Sequence, residues 1–172
     1  MSRIKIIPFG NISDDILTGI TEELRNSMNF VTETTLPMGI PKEFYNVLRR
    51  QYKAVAVLIF LIKTFPGKIL AITDEDLYAE DLSFVFGQAQ LPGNASLISI
   101  HRLNPSFYRQ PFDAQILKER AIKEAKHEVG HMLGLKHCPN ERCVMIFSNS
   151  VAHVDRKNKE FCDMCKLQLG VR

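Results

Sequence analysis

Residues 127–137 read His127-Glu128-Val129-Gly130-His131-Met132-Leu133-Gly134-Leu135-Lys136-His137. Residues four apart on a helix share a face, one turn apart. Two imidazoles so placed reach one ion at about 2.0–2.1 Å. Glu128 sits one residue round, close enough to take a proton from a metal-bound water. In a continued helix His137 would point away from that ion. Gly134 supplies the break, because it can take the left-handed conformation at a helix end. The chain then turns back and brings His137 to the metal. Three protein ligands leave a fourth position for water, the arrangement of a catalytic zinc site.

Upstream, the pattern predicts a long helix from Asp113, its cap, to Leu133. On its wheel Ala121, Ile122, Ala125, Val129, Met132 and Leu133 lie opposite the histidines and form the core face. Arg120, Lys123 and Glu124 share the histidine side, which reads as solvated, and Glu119–Lys123 reads as an i,i+4 ion pair.

Downstream, Cys138, Cys143, Cys162 and Cys165 are the only cysteines, all within the last 35 residues. Two close pairs about twenty residues apart read as a tetrahedral thiolate zinc site. Two disulfides, or four buried thiols, are the alternatives, and disulfides are disfavoured because no secretion signal is visible. Cys138 follows His137 directly, so a rigid thiolate site there would also hold the third histidine.

The rest of the chain reads as scaffold, and the first 100 residues contain neither Cys nor His. Strands are expected at Arg3–Pro8, Phe30–Thr35, Lys68–Thr73, Ser83–Gln88 and Ala95–Leu103. A helix capped by Ser13 carries Ile16, Ile20, Leu24 and Met28 on one face. Pro41 suits the first position of another helix. Gln51–Phe65 suits a buried strand or a buried helix, its length favouring the helix. The fold class is α+β (mixed α/β), a mixed sheet with helices packed on it. A chain of 172 residues suits one domain, 1–172. It divides into an N-terminal subdomain, 1–134, and a C-terminal subdomain, 135–172. Composition excludes disordered and fibrous classes, and the longest apolar run, Ala54–Ile62, is too short to span a membrane. A net charge of +3 is too small to argue for nucleic acid.

With both motifs in place, the sequence resembles the archaemetzincin (archaelysin) family of metzincin zinc metalloproteases over nearly its whole length. The resemblance implies a five-stranded twisted sheet whose antiparallel edge strand borders the cleft. It implies a catalytic zinc on His127, His131 and His137 with Glu128 as general base. It also implies a structural zinc on the four cysteines, making two ions per chain. Met145 would be the methionine of the Met-turn beneath the zinc ligands. The edge around Phe84-Val85-Phe86-Gly87 would take an extended peptide by backbone pairing; a plain edge or core strand is the alternative. Two departures stand out. The chain is expected to start directly in the catalytic domain, whereas most metzincins carry a pro-segment. Ile146, Phe147 and Ser148 follow Met145, so no tyrosine is available there to assist the zinc.

The expected function is zinc-dependent peptide hydrolysis, class EC 3.4, on a peptide or protein substrate. No nucleic-acid or membrane partner is expected, and the protein is expected to be a cytoplasmic monomer. A zinc-stabilised peptide-binding domain with little catalysis is one alternative. A metal-dependent endoribonuclease with H-x3-H-x5-H spacing is the other; Glu128 and the cysteine set speak against it. His101 and His153 read as surface or hydrogen-bonded histidines, with His153 a candidate cleft residue.

Overall fold

The computed structural model describes residues 2–171. Strand β1 (Ser2–Phe9) sends Ile4 and Ile6 to one face and Ile7 and Phe9 to the other, so it is buried on both sides. It pairs in parallel with β2 (Phe30–Thr34) and with β5 (Lys68–Thr73). Beyond β5 lie β8 (Ala95–Ser99), parallel, and β7 (Gly87–Ala89), antiparallel, giving the order β2-β1-β5-β8-β7. The five-stranded mixed sheet with an antiparallel edge is thus present.

Helices α1 (Asp14–Met28) and α3 (Ala114–Met132) cover one face of this sheet. Both have the expected caps: Ser13 accepts from the Ile16 N–H and Asp113 from the Ile116 N–H. Helix α2 (Ala54–Thr64) covers the other face through Ala54, Val57, Leu58 and Leu61. Only one side of a helix can meet a sheet, so Val55, Ile59 and Ile62 of the same apolar run stay partly exposed. The run is therefore a half-buried helix, preceded by the short strand β4 (Gln51–Lys53). After α3 come α4 (Val151–Arg156) and α5 (Asp163–Leu169). No helix among the described residues is long and apolar enough to cross a membrane.

Some expected elements differ. Pro41 precedes a single 3-10 turn, Lys42–Phe44, rather than a longer helix. The strand from Ala95 stops at Ser99, whose hydroxyl takes the His101 N–H and starts a 3-10 turn over His101–Leu103. The strand expected over Ser83–Gln88 is confined to Gly87–Ala89. Its first half is drawn instead toward a second sheet, β3-β4-β6 (β3, Tyr45–Asn46; β6, Leu77–Tyr78), which sequence patterning did not reveal. The Val85 N–H donates to the Leu77 carbonyl, Arg49 donates to the carbonyls of Leu82 and Ser83, and Gln51 donates to that of Ser83. Backbone groups so engaged are lost to the β8 ladder.

The polar side of α3 also departs from expectation. Arg120 and Glu124 are buried, not solvated. The segment 154–160 lies over them. Arg120 grips Asp155 with two hydrogen bonds of 2.8 Å, and Lys123 donates to the carbonyls of Val154 and Asp155. Lys157 faces Glu124 at 2.7 Å, and Lys126 pairs with Glu23 and Glu160. The Glu119–Lys123 pair does not form: Glu119 accepts from Gln115 instead. A long helix with charges on its second face was covered there by matching charges.

Candidate metal centre

The last two turns of α3 present His127 and His131 into a cleft of about 610 Å³. Gly134 follows at φ +103°, and its N–H and that of Leu135 close back on the carbonyls of His131 and Gly130. This stop swings His137 round to the other two rings. The centroids lie 4.6 Å (His127–His131), 4.7 Å (His131–His137) and 5.4 Å (His127–His137) apart. The three rings can offer one nitrogen each, all within 4.8 Å of one another.

The tautomers follow from the hydrogen bonds. His127 Nδ1 donates to the Val144 carbonyl at 2.8 Å, and His131 Nδ1 to the Leu135 carbonyl at 2.7 Å. Each neutral ring then keeps a lone pair on Nε2. The two Nε2 atoms lie 3.1 Å apart. Two lone pairs at that range repel unless a cation stands between them. Tetrahedral zinc would set such nitrogens about 3.3–3.4 Å apart. The donor set therefore fits the ion that the spacing implies. Burial holds all three histidines below their usual pKa, His127 furthest, and the buried Lys157 ammonium adds to this. Neutral rings are what metal ligation requires.

Met145 packs against Gly130 of the helix that carries two of the rings. Gly130, between the two helical histidines, has no side chain because there is no room: a Cβ there would stand 2.5 Å from Met145 Sδ. Met145 is fully buried, and its carbonyl accepts the Cys138 N–H at 2.9 Å, tying the turn to the residue after His137.

Glu128 is buried at the cleft's edge, against β7. Burial pushes its carboxyl well above the usual carboxylate range, Glu124 pushes it further, and Lys157 opposes both. Phe84, Val85, Phe86 and Gly87 all line the cleft, although only Gly87 belongs to the strand. Phe84 and Phe86 meet edge to face at 5.1 Å, and Arg102, bonded twice to Asp76, lies 4.4 Å over Phe84. The wall is thus braced from behind.

The four cysteines converge beside His137. Cys138–Cys162 and Cys143–Cys165 sulfurs are each 3.7 Å apart, and all four lie within 4.8 Å of one another. A disulfide would bring sulfurs to about 2.05 Å. Four thiolates on one zinc at about 2.3 Å would lie about 3.7–3.8 Å apart. The thiols are free, and their spacing suits one ion better than separate bridges. Backbone N–H groups of Met145 and Cys162 point at Cys143 Sγ. The N–H of Cys165 lowers Cys162 to about 7, while burial raises Cys138 and Cys165. Donors of this kind favour thiolate.

The remaining histidines stand elsewhere. His101 Nδ1 lies 3.1 Å from the Asp74 carbonyl and its ring packs on Phe107. His153 lines a separate pocket, so it is not a cleft residue. Sequence reasoning missed the role of Glu124, which lines the cleft, and of Lys157, 30 residues after His127 and 1% exposed. Only the placement of Glu124 on the histidine side of the wheel pointed that way.

Comparison with known proteins gives a consistent picture. The family model of peptidase family M54 matches residues 35–170. An archaemetzincin of Methanocaldococcus jannaschii is 42% identical over 170 residues, covering 99% of this chain and 94% of its own. The crystal structure of an archaemetzincin from Methanopyrus kandleri superposes with a TM-score of 0.88 at 34% identity, covering 98% of this chain and 93% of that one. A zinc-dependent peptidase from Methanocorpusculum labreanum gives 0.87 at 30% identity, over 96% and 99% of the two chains.

Proposed function

This chain belongs to peptidase family M54, the archaemetzincins, and from that membership we propose that it is a zinc-dependent hydrolase of peptide bonds working at the three-histidine cleft. The observation that carries the reading is the pair of Nε2 lone pairs 3.1 Å apart, each fixed by a backbone carbonyl on the opposite ring nitrogen. His127, His131 and His137 hold the ion. The chemistry supplied by a zinc ion held there is Lewis acidity, which acidifies water and polarises a carbonyl.

Glu128 is the general base. Its carboxylate takes the proton of the attacking water and returns it to the leaving amine. Its raised affinity for protons suits the second half of that cycle. Phe84 to Gly87 form the wall along which an extended peptide lies, with main-chain pairing offered by the free edge of β7. The four cysteines hold a second zinc, which fixes the turn bearing His137 and Met145. Both halves of the chain share one core, in which Met145, Val154, Phe161 and Cys165 pack with the residues of α1 and α3. This supports a single domain in which 1–134 supplies the sheet and helix and 135–172 the third ligand and cysteine site.

The test is Glu128→Gln. Zinc content by mass spectrometry should remain at two per chain, while hydrolysis of a mixed peptide library should fall by about 10²–10⁴-fold. Undiminished turnover would exclude this base, and turnover of structured RNA instead of peptide would exclude the substrate class.

A further inference from the structure

Phe147 has two sides. Its ring lies 5.1 Å from that of His137, on the wall of the metal-centre cleft. With Ile146 it also lines a second pocket, of about 540 Å³, whose other walls are Glu141, Arg142, His153, Arg156 and Asn158. The other arginines near the cleft are engaged. Arg102 is spent on Asp76, Arg120 on Asp155, and Arg49 on two carbonyls. Among the described residues, Arg142 and Arg156 take part in no ion pair. They meet at this pocket with His153, against the single carboxylate of Glu141.

The pocket is pinned. The Asn158 N–H donates to the Arg142 carbonyl at 3.0 Å, the Lys157 N–H to that of His153, and the Val144 N–H to that of Glu160. The two strands of chain that carry the guanidinium groups are therefore tied together, and tied to the turn that carries Met145. A guanidinium fork matches a carboxylate in two parallel hydrogen bonds. Because Phe147 lines both pockets, a peptide lying in the cleft that extends past Phe147 would reach the arginines.

We propose that this pocket is a subsite for a carboxylate of the substrate, presented by an acidic side chain or by the peptide's own C-terminus. The inference rests on the peptide-hydrolase reading and adds the substrate's charge. Arg142 and Arg156 bind the carboxylate, and Phe147 separates the subsite from the reacting centre.

The experiment measures fluorescence polarisation of labelled decapeptides on zinc-loaded Glu128→Gln protein, which cannot consume them. Each peptide is made with Asp and Glu or with Asn and Gln, and with a free or an amidated C-terminus. Acidic or free-carboxylate peptides should bind about tenfold tighter than their neutral partners. The arm that shows the preference names the carboxylate's source. Arg142→Ala/Arg156→Ala should remove the preference, and Arg142→Glu/Arg156→Glu should turn it toward basic peptides. Equal affinities, no binding by any peptide, or a preference untouched by both double variants would overturn the subsite. Cleavage of the neutral peptides by the unaltered protein tests the hydrolase reading separately.

Discussion

Gly87 and Glu128 occupy one another's space: a Cβ on Gly87 would stand 2.6 Å from Glu128 Cγ and 2.7 Å from its Oε1. The edge strand of the sheet and Glu128 on the helix are thus in contact only because one residue lacks a side chain. The same Cβ would meet the Leu97 carbonyl at 2.7 Å, so the strand cannot simply step back.

Gly87→Ala should therefore displace Glu128 or part β7 from β8. We expect a loss of about 1–3 kcal/mol of stability and a fall in turnover of at least about tenfold, with both zinc ions retained. Urea denaturation, metal analysis and peptide assay on the same preparation check this. A variant of unchanged activity would show that Glu128 does not need its present position.

Glu124 and Lys157 form the buried charge pair of the site, at 2.7 Å with side chains 4% and 0% exposed. The contact is a charge contact, since neither Glu124 Oε1 nor Lys157 Nζ makes an aligned hydrogen bond. Removing either partner leaves an unpaired charge inside the protein. Glu124→Gln and Lys157→Met should each cost about 3–5 kcal/mol. The double variant should cost much less than the sum, as a double-mutant cycle in urea will show.

Chelation should make stability depend on acid. All three histidines have lowered pKa values in the fold, so the unfolded chain binds their protons first. Their contribution is complete above the unfolded value, about 6.5, and is lost as pH falls below it. Glu128, raised, has the opposite sign, but it is one group against three. The Tm of the metal-free protein should fall between pH 7 and pH 5, and the zinc-loaded protein should fall later, because the ion competes with protons for the rings. Calorimetry in matched buffers measures both.

Most of the scaffold could be read from periodicity. The core positions of α1, both helix caps and the two-sided apolar strand β1 are local signals, and the chain follows them. The metal-centre geometry was legible because a four-residue helical spacing and a helix-stopping glycine act over one short stretch. What stayed hidden depends on contacts between distant segments. Ser83 to Phe86 carry strand-like residues, yet Arg49 and Gln51, more than 30 positions earlier, take the Ser83 carbonyl, and the Val85 N–H turns to Leu77. Arg120 and Glu124 look like a solvated face until residues 154–160 fold over them with the matching charges. Lys157 carries no spacing signal at all; its place beside the histidines is set by the tertiary fold.

The most direct test is anomalous diffraction from crystals of the untagged protein at the zinc absorption edge. A peak about 2.0–2.1 Å from one nitrogen of each of His127, His131 and His137, with a second peak among the four cysteine sulfurs, is the predicted result. Density showing three converged rings with no zinc peak among them, in crystals grown with zinc present, would contradict it.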